Sequence, residues 1–232
     1  MSWRTKPLAP VAAGALIVSA VGCNLGVAPK NTGLVRFIHA VSNGGPFDFY
    51  AKGSIKVNGL EFQHATAYFV VDSGQAIPFA ITKLNDSTPI ASTTESVVGA
   101  HTYTLMAADS MSGLTPLFIA DSNTAPVSSA VKLRVIHGAP SFKSVDIYIV
   151  KQGNPLSSPT LTGFNFEGVS LYQLVPPAAY YVVATAPGNP AVIVAVDTLP
   201  SLSNGSVRTV VLLDSKKGGL PLATIDVNDV NR

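Results

Sequence analysis

Apolar and polar positions alternate along this chain in short bursts, with no sustained helical period after its first thirty residues. Over residues 34–40, Val35, Phe37 and His39 share one face of a predicted strand, and Arg36 and Ile38 share the other. Residues 47–52 predict a second strand. Runs rich in β-branched and aromatic residues at 66–71, 76–82, 90–98, 102–107 and 116–120 predict five more. Turn clusters separate them, among them Ser42-Asn43-Gly44-Gly45-Pro46, Asp72-Ser73-Gly74 and Gly99-Ala100. Val57-Asn58-Gly59-Leu60 reads as a tight turn. Pro78 has no N–H for a sheet ladder and predicts an edge strand or a bulge.

The pattern then repeats. Val35-Arg36-Phe37-Ile38-His39-Ala40 with Asp48-Phe49-Tyr50 returns as Leu133-Arg134-Val135-Ile136-His137-Gly138 with Asp146-Ile147-Tyr148, at a constant offset of 98. Phe62 and Tyr68 recur as Phe166 and Tyr172 at an offset of 104, and Asp226 mirrors Asp121. Pro176-Pro177-Ala178 takes the place of Asp72-Ser73-Gly74. Strands are predicted at 180–186, 191–196 and 207–213, with Asn204-Gly205 as a hairpin signal before the last. The expected fold is all-β: two tandem antiparallel β-sandwiches, immunoglobulin-like or transthyretin-like, at 34–121 and 131–232. A short polar linker, 122–130, should hold them close with restricted relative motion. A fragment starting near Ser128 is expected to fold alone.

Two basic residues, Arg4 and Lys6, precede the apolar run 8–21, and Cys23, the chain's single cysteine, follows it. This order predicts a signal peptide over 1–22. Ala20-Val21-Gly22-Cys23 resembles the bacterial lipobox, departing from it at Ala20, where Leu is usual. The resemblance implies lipid attachment at Cys23 and membrane anchoring, and Asn24 after the cysteine implies the outer membrane or cell surface. Residues 23–33 then read as a tether. Charged residues make up 12% of the chain, about half the share of a typical soluble domain. Once Arg4 and Lys6 are set aside, 13 basic and 13 acidic side chains remain, so no basic stripe is left to follow a nucleic-acid backbone.

The paired motifs at 35–50 and 133–148 resemble the domain-of-unknown-function 4397 family. The second copy matches better; the first has Val41-Ser42 where the second has Ala139-Pro140. The resemblance implies exported bacterial β-sandwich modules, often in tandem and often lipoproteins. It implies no activity.

His39 with Asp48 and His137 with Asp146 are the candidate chemical pairs, since a His–Asp pair can orient a general base or supply two metal ligands. Neither unit adds a nucleophile or third ligand at a recognisable spacing, so a structural role is expected, each His bonding a loop or the following Asp. Asp48 and Asp146 are alternatively partners for Arg36 and Arg134. His64 and His101 have no counterparts and are expected at the surface. Asp226-Val227-Asn228-Asp229 is a faint calcium-loop likeness lacking the Gly and distal Glu. Tyr180-Tyr181, Phe164-Phe166 and Phe47-Phe49 are candidates for a sugar-stacking surface or for core.

These features lead to the expectation of a non-enzymatic cell-envelope lipoprotein with a structural, adhesive or scaffolding role. No catalytic, cofactor or metal residues are expected. Arg36, His39, Asp48 and Tyr50, with Arg134, His137, Asp146 and Tyr148, are expected to be structural motif residues. The alternative is a surface protein that binds a carbohydrate or peptide, with an envelope protein or glycan as partner.

Overall fold

The computed structural model describes residues 31–127, 129–216 and 219–229, and among them all regular structure is β. The first unit contains β1 (Thr32–His39), β2 (Phe47–Ala51), β3 (Ser54–Leu60), β4 (His64–Ala65), β5 (Phe69–Asp72), β6 (Gly74–Lys83), β7 (Pro89–Val97), β8 (Thr102–Ala108) and β9 (Thr115–Asp121). The second contains β10 (Val131–His137), β11 (Ser144–Lys151), β12 (Leu161–Asn165), β13 (Gln173–Val175), β14 (Tyr180–Ala186), β15 (Asn189–Leu199), β16 (Val207–Asp214) and β17 (Leu222–Asn228).

Each unit is a sandwich of two sheets. In the first, β4-β1-β8-β9, with β5 also on β1, faces β3-β2-β6-β7; in the second, β13-β10-β16-β17 faces β12-β11-β14-β15. The β4 pairing, Ile38 with Ala65, survives in the second unit as a single bridge between Ile136 and Val169. Pairing is antiparallel except that β1 runs parallel to β8, and β10 parallel to β16.

The sheets carrying β1 and β10 are buried on both faces. In β1, Val35 and Phe37 point into the first unit's core with Phe47, Phe49 and Ile81. Ile38 and Ala40, on the opposite face, join a separate cluster with Met106, Ile136, Val211, Leu213 and Val227. The two units therefore pack sheet on sheet. Their order is outer sheet, inner sheet, inner sheet, outer sheet, with an apolar core in each of the three gaps. Two-sided burial explains why even Arg36 and His39 of β1, and Arg134 and His137 of β10, are removed from solvent. Gln63 Nε2 also donates to Thr224 O across this junction, at 3.0 Å.

Several details differ from the sequence reading. Val57 to Leu60 belongs to β3, a full edge strand whose polar, half-exposed residues hid it. Thr32 and Gly33 are not tether but pair with Asp72 and Val71 at the start of β1. Pro78 lies in β6, an interior strand, just after a register shift between Gly74 and Ile77, so the bulge is present and the edge position is not. The Asn204-Gly205 turn carries the chain from β15 in one sheet to β16 in the other, and so closes no hairpin. Within the second unit, sequential antiparallel pairs form instead at β11–β12, at β14–β15 around Gly188, and at β16–β17.

Candidate functional site

The polar side chains repeated in the sequence serve three separate places. The first is the junction between the units. Arg36 on β1 and Arg134 on β10 project from their inner sheets toward each other's unit, at 1% and 2% exposure. Arg36 Nε donates to Thr104 Oγ1 of its own unit at 2.8 Å, while its Nη2 lies 2.6 Å from Asp229 Oδ1 of the other. Arg134 repeats this with Thr209 Oγ1 at 3.0 Å and Asp121 Oδ1 at 2.7 Å. Each carboxylate also accepts from its own unit's tyrosine: Tyr68 Oη donates to Asp121 at 2.7 Å and Tyr172 Oη to Asp229 at 2.8 Å. Each guanidinium stands over that same tyrosine ring, 5.1 Å from Tyr68 and 4.6 Å from Tyr172.

The result is two crossed ion pairs related by a pseudo-twofold axis, with no net charge. Burial works against the charge on Arg36, but Asp229 and Asp121 outweigh it and hold the group above its ordinary value. Burial raises both Tyr68 and Tyr172, so both remain protonated donors. Asp229, not Asp226, is thus the counterpart of Asp121: Val207 O accepts from Asp229 N just as Thr102 faces Asp121. Sequence matching missed this because the strand β17 is displaced by three residues relative to the Asp226 alignment. Asp226 instead pairs with Arg208 at 3.1 Å, so neither aspartate belongs to a calcium loop.

The second place is the mouth of each sandwich, at His39 and His137. His39 Nδ1 accepts from Val41 N at 3.2 Å, and Nε2 donates to Gly45 O at 2.8 Å, which sets a neutral ring. The ring stacks on Phe47 at 4.0 Å. His137 holds its own loop less tightly, through Ala139 N at 3.4 Å, and its buried Nε2 makes no well-formed hydrogen bond, meeting the loop only through a weak approach to the Phe142 backbone. Burial lowers both histidines to about 4.

The third place is the outer face of each outer sheet. Asp48 accepts from Gly59 N at 2.7 Å and Asn85 N at 3.1 Å. Asp146 accepts from Gly163 N at 2.6 Å and Gly188 N at 2.7 Å. All four donors have positive φ: Gly59 and Gly163 lie at register shifts within the edge strands β3 and β12, and Asn85 and Gly188 in the turns after β6 and β14, so each aspartate pins a bulge and a turn on opposite sides of its strand.

The expected pairings of these aspartates therefore do not form. Successive strand residues point to opposite faces. Phe47, against which His39 packs, faces the core, so Asp48 faces outward. Arg36 lies farther still, beyond the inner sheet. Tyr50 and Tyr148 share the outward face with Asp48 and Asp146; Tyr148 is buried there, and Tyr50 is partly exposed. His64 and His101 are exposed. Phe47, Phe49 and Tyr180 are core rather than a stacking surface, and Phe164 packs against the core. Cys23 lies outside the described residues. No group of three or more His, Cys, Asp or Glu side chains among the described residues is arranged to hold a metal ion.

An all-β body of two sandwiches, joined face to face through crossed Arg–Asp pairs, is the class this geometry defines. The chain belongs to the family described as "Domain of unknown function (DUF4397)", which matches residues 33–148, from β1 through most of β11. No curated protein matches the chain. Among solved structures, "The Bacillus anthracis TIE protein" is 10% identical over 85% of this chain and 44% of its own, with a TM-score of 0.28. "Alpha-glucan binding by a streptococcal virulence factor" is 12% identical over 83% of this chain and 97% of its own, at 0.30. The "Product complex of a multi-modular glycogen-degrading pneumococcal virulence factor SpuA" is 14% identical over 85% of this chain and 22% of its own, also at 0.30.

Proposed function

We propose that the chain is a non-enzymatic envelope lipoprotein that acts as a rigid structural module, exported and held to a membrane surface through Cys23. One observation carries the structural half of this reading. Arg36, Arg134, Asp121 and Asp229 are spent in welding the two sandwiches together, and Asp48 and Asp146 in pinning the bulges and turns beside their strands. The repeated residues thus have structural work that accounts for their recurrence. A body of four stacked sheets without a hinge suits a spacer or scaffold. The anchoring half rests on the order Arg4, Lys6, apolar run, Cys23. A lipoprotein's several acyl chains hold firmly where one chain binds only marginally. Membrane fractionation tests it: wild type should sediment with membranes, and Cys23→Ser should become soluble or remain an unprocessed precursor. A Cys23→Ser protein that is cleaved at the same site and stays membrane-bound would sink the anchoring reading.

A further inference from the structure

The duplication supplies an internal control for the outer sheets. Across β2, β6 and β7, register places Tyr50 beside Ala80 and Ala80 beside Ser92. The equivalent row of the second unit is Tyr148, Val183 and Val196. In the next row Pro89 stands where the second unit has Ile193, both beyond a threonine, Thr82 or Thr185. Large side chains thus occupy the second unit's face: Tyr148 is 3% and Val183 5% exposed, beside Val196 and Ile193 at 38% and 40%. Small ones leave the first unit's face open. The consequence is a groove of about 580 Å³ lined by Tyr50, Ala80, Thr82, Pro89, Ser92 and Thr94 among others, with no charged side chain in the lining. That volume lies within the range of small-ligand sites, roughly 300–1,000 Å³.

We infer that this groove is a binding site for a short stretch of neutral glycan, with Tyr50 as the ring on which one sugar packs. The chemistry selects the occupant. Ser92 and Thr94 present exposed hydroxyls, which both donate and accept as sugar hydroxyls do. Tyr50 adds an amphipathic ring, apolar on its face and polar at its tip. An ionic ligand finds no counter-charge in the lining. A proline-rich peptide needs an aromatic-lined groove, and only Tyr50 is offered here, since Phe79 is buried core. The inference concerns the first unit alone and holds whether or not Cys23 carries lipid.

The second unit dictates the test. Ala80→Val with Ser92→Val copies its filled face onto the first and should fold, because the same framework already carries valines there. Purified full-length protein is titrated calorimetrically with neutral hexasaccharides built from glucose, mannose, galactose and N-acetylglucosamine, and with a decaproline peptide. At least one hexasaccharide should bind wild type, with the affinity falling roughly tenfold or more in Tyr50→Ala and in the double valine variant, about 1.4 kcal/mol or more. Melting of the double variant should match wild type; if it does not fold, Tyr50→Ala alone decides. The inference is overturned if wild type binds none of the four sugars, if a folded variant binds as wild type does, or if decaproline binds in their place.

Discussion

Arg36 of the first sandwich and Asp229 of the second approach to 2.6 Å, with both side chains essentially removed from solvent. Arg134 and Asp121 make the reciprocal contact at 2.7 Å. Each unit thus contributes one cation and one anion to a four-membered network, whose short contacts cross between the units while Arg36–Asp121 and Arg134–Asp229 within each unit stand at 3.9 and 4.0 Å.

Removing one member should be expensive. Asp229→Ala leaves buried Arg36 with only the more distant Asp121, at 3.9 Å, and frees Tyr172 and Thr209 of their acceptor. Breaking a buried pair in this way costs about 3–5 kcal/mol, whereas replacing the whole set with apolar residues of similar volume is often neutral. Denaturant unfolding of Asp229→Ala should show that loss, and Asp121→Ala a similar one, as the pseudo-twofold requires. A loss under about 1 kcal/mol for both would mean that water satisfies the arginines and the crossed pairs contribute little.

The same geometry revises the expectation that the second half folds independently. Residues 129–232 alone would expose Ile136, Val211, Leu213 and Val227, and would leave Arg134 without Asp121. Because the face carries both Arg134 and Asp229, it is complementary to a second copy of itself. The isolated half should melt below the full chain, and its melting temperature should rise with protein concentration. Calorimetry at several concentrations, alongside light scattering, checks this. A monomeric half that melts with the full chain would show the junction to be energetically idle.

Much of this architecture was legible in the residues. The offset of 98 located both copies of the motif, and strand alternation placed Arg36 opposite Phe37 on β1. What the chain order hid was the partner of each charge. Asp229 is 193 positions from Arg36, and a partner at that distance leaves no periodic trace. Asp48 is far nearer in the chain, but the one-residue step from Phe47 turns it to the far side of the sandwich. The groove was equally silent, since it depends on what Ala80 and Ser92 lack relative to Val183 and Val196. Only the superposition of registers makes that absence visible.

The turn-pinning aspartates yield a third expectation. Asp146→Ala removes the acceptor for Gly163 N, at the bulge in β12, and for Gly188 N, in the β14–β15 turn, both of positive φ. Two stranded amide donors, partly open to water, should cost about 1–3 kcal/mol. Hydrogen exchange should show the effect concentrated at β12 and the β14–β15 turn. Uniform loss of protection across both units would instead point to a global role for Asp146.

The histidines should no longer be equivalent. His39 makes two hydrogen bonds and stacks on Phe47, whereas His137 makes one long bond and meets the Phe142 backbone only weakly through Nε2. His39→Ala should therefore lower stability by about 1–3 kcal/mol, the cost of stranding buried polar partners, and His137→Ala by less. Paired thermal melts decide it. A larger loss for His137→Ala would mean that its ring is held by contacts other than those at Ala139.

Acid should act on the fold through opposing groups. His39 and His137, lowered by burial from 6.5 to about 4, stay neutral in the folded protein while the unfolded chain takes up protons. Their contribution is fully present above pH 6.5 and is lost as pH falls toward 4. Asp226 has the opposite sign. Burial raises it from 3.8 to about 6, against the pull of Arg208 and with the help of Asp197 and Asp229. The folded protein therefore gains its proton first, which adds stability as pH falls from about 6 toward 3.8, and that gain disappears as pH rises through 6. Asp197 is also raised by burial and acts in the same direction as Asp226, but the two histidine shifts outweigh both carboxyls, so the melting temperature should drop between about pH 7 and pH 5. Asp226→Asn removes one opposing contribution and should make the drop steeper. Melts of both proteins across that interval check it, and a shallower drop in Asp226→Asn would show that Asp226 does not take up the compensating proton.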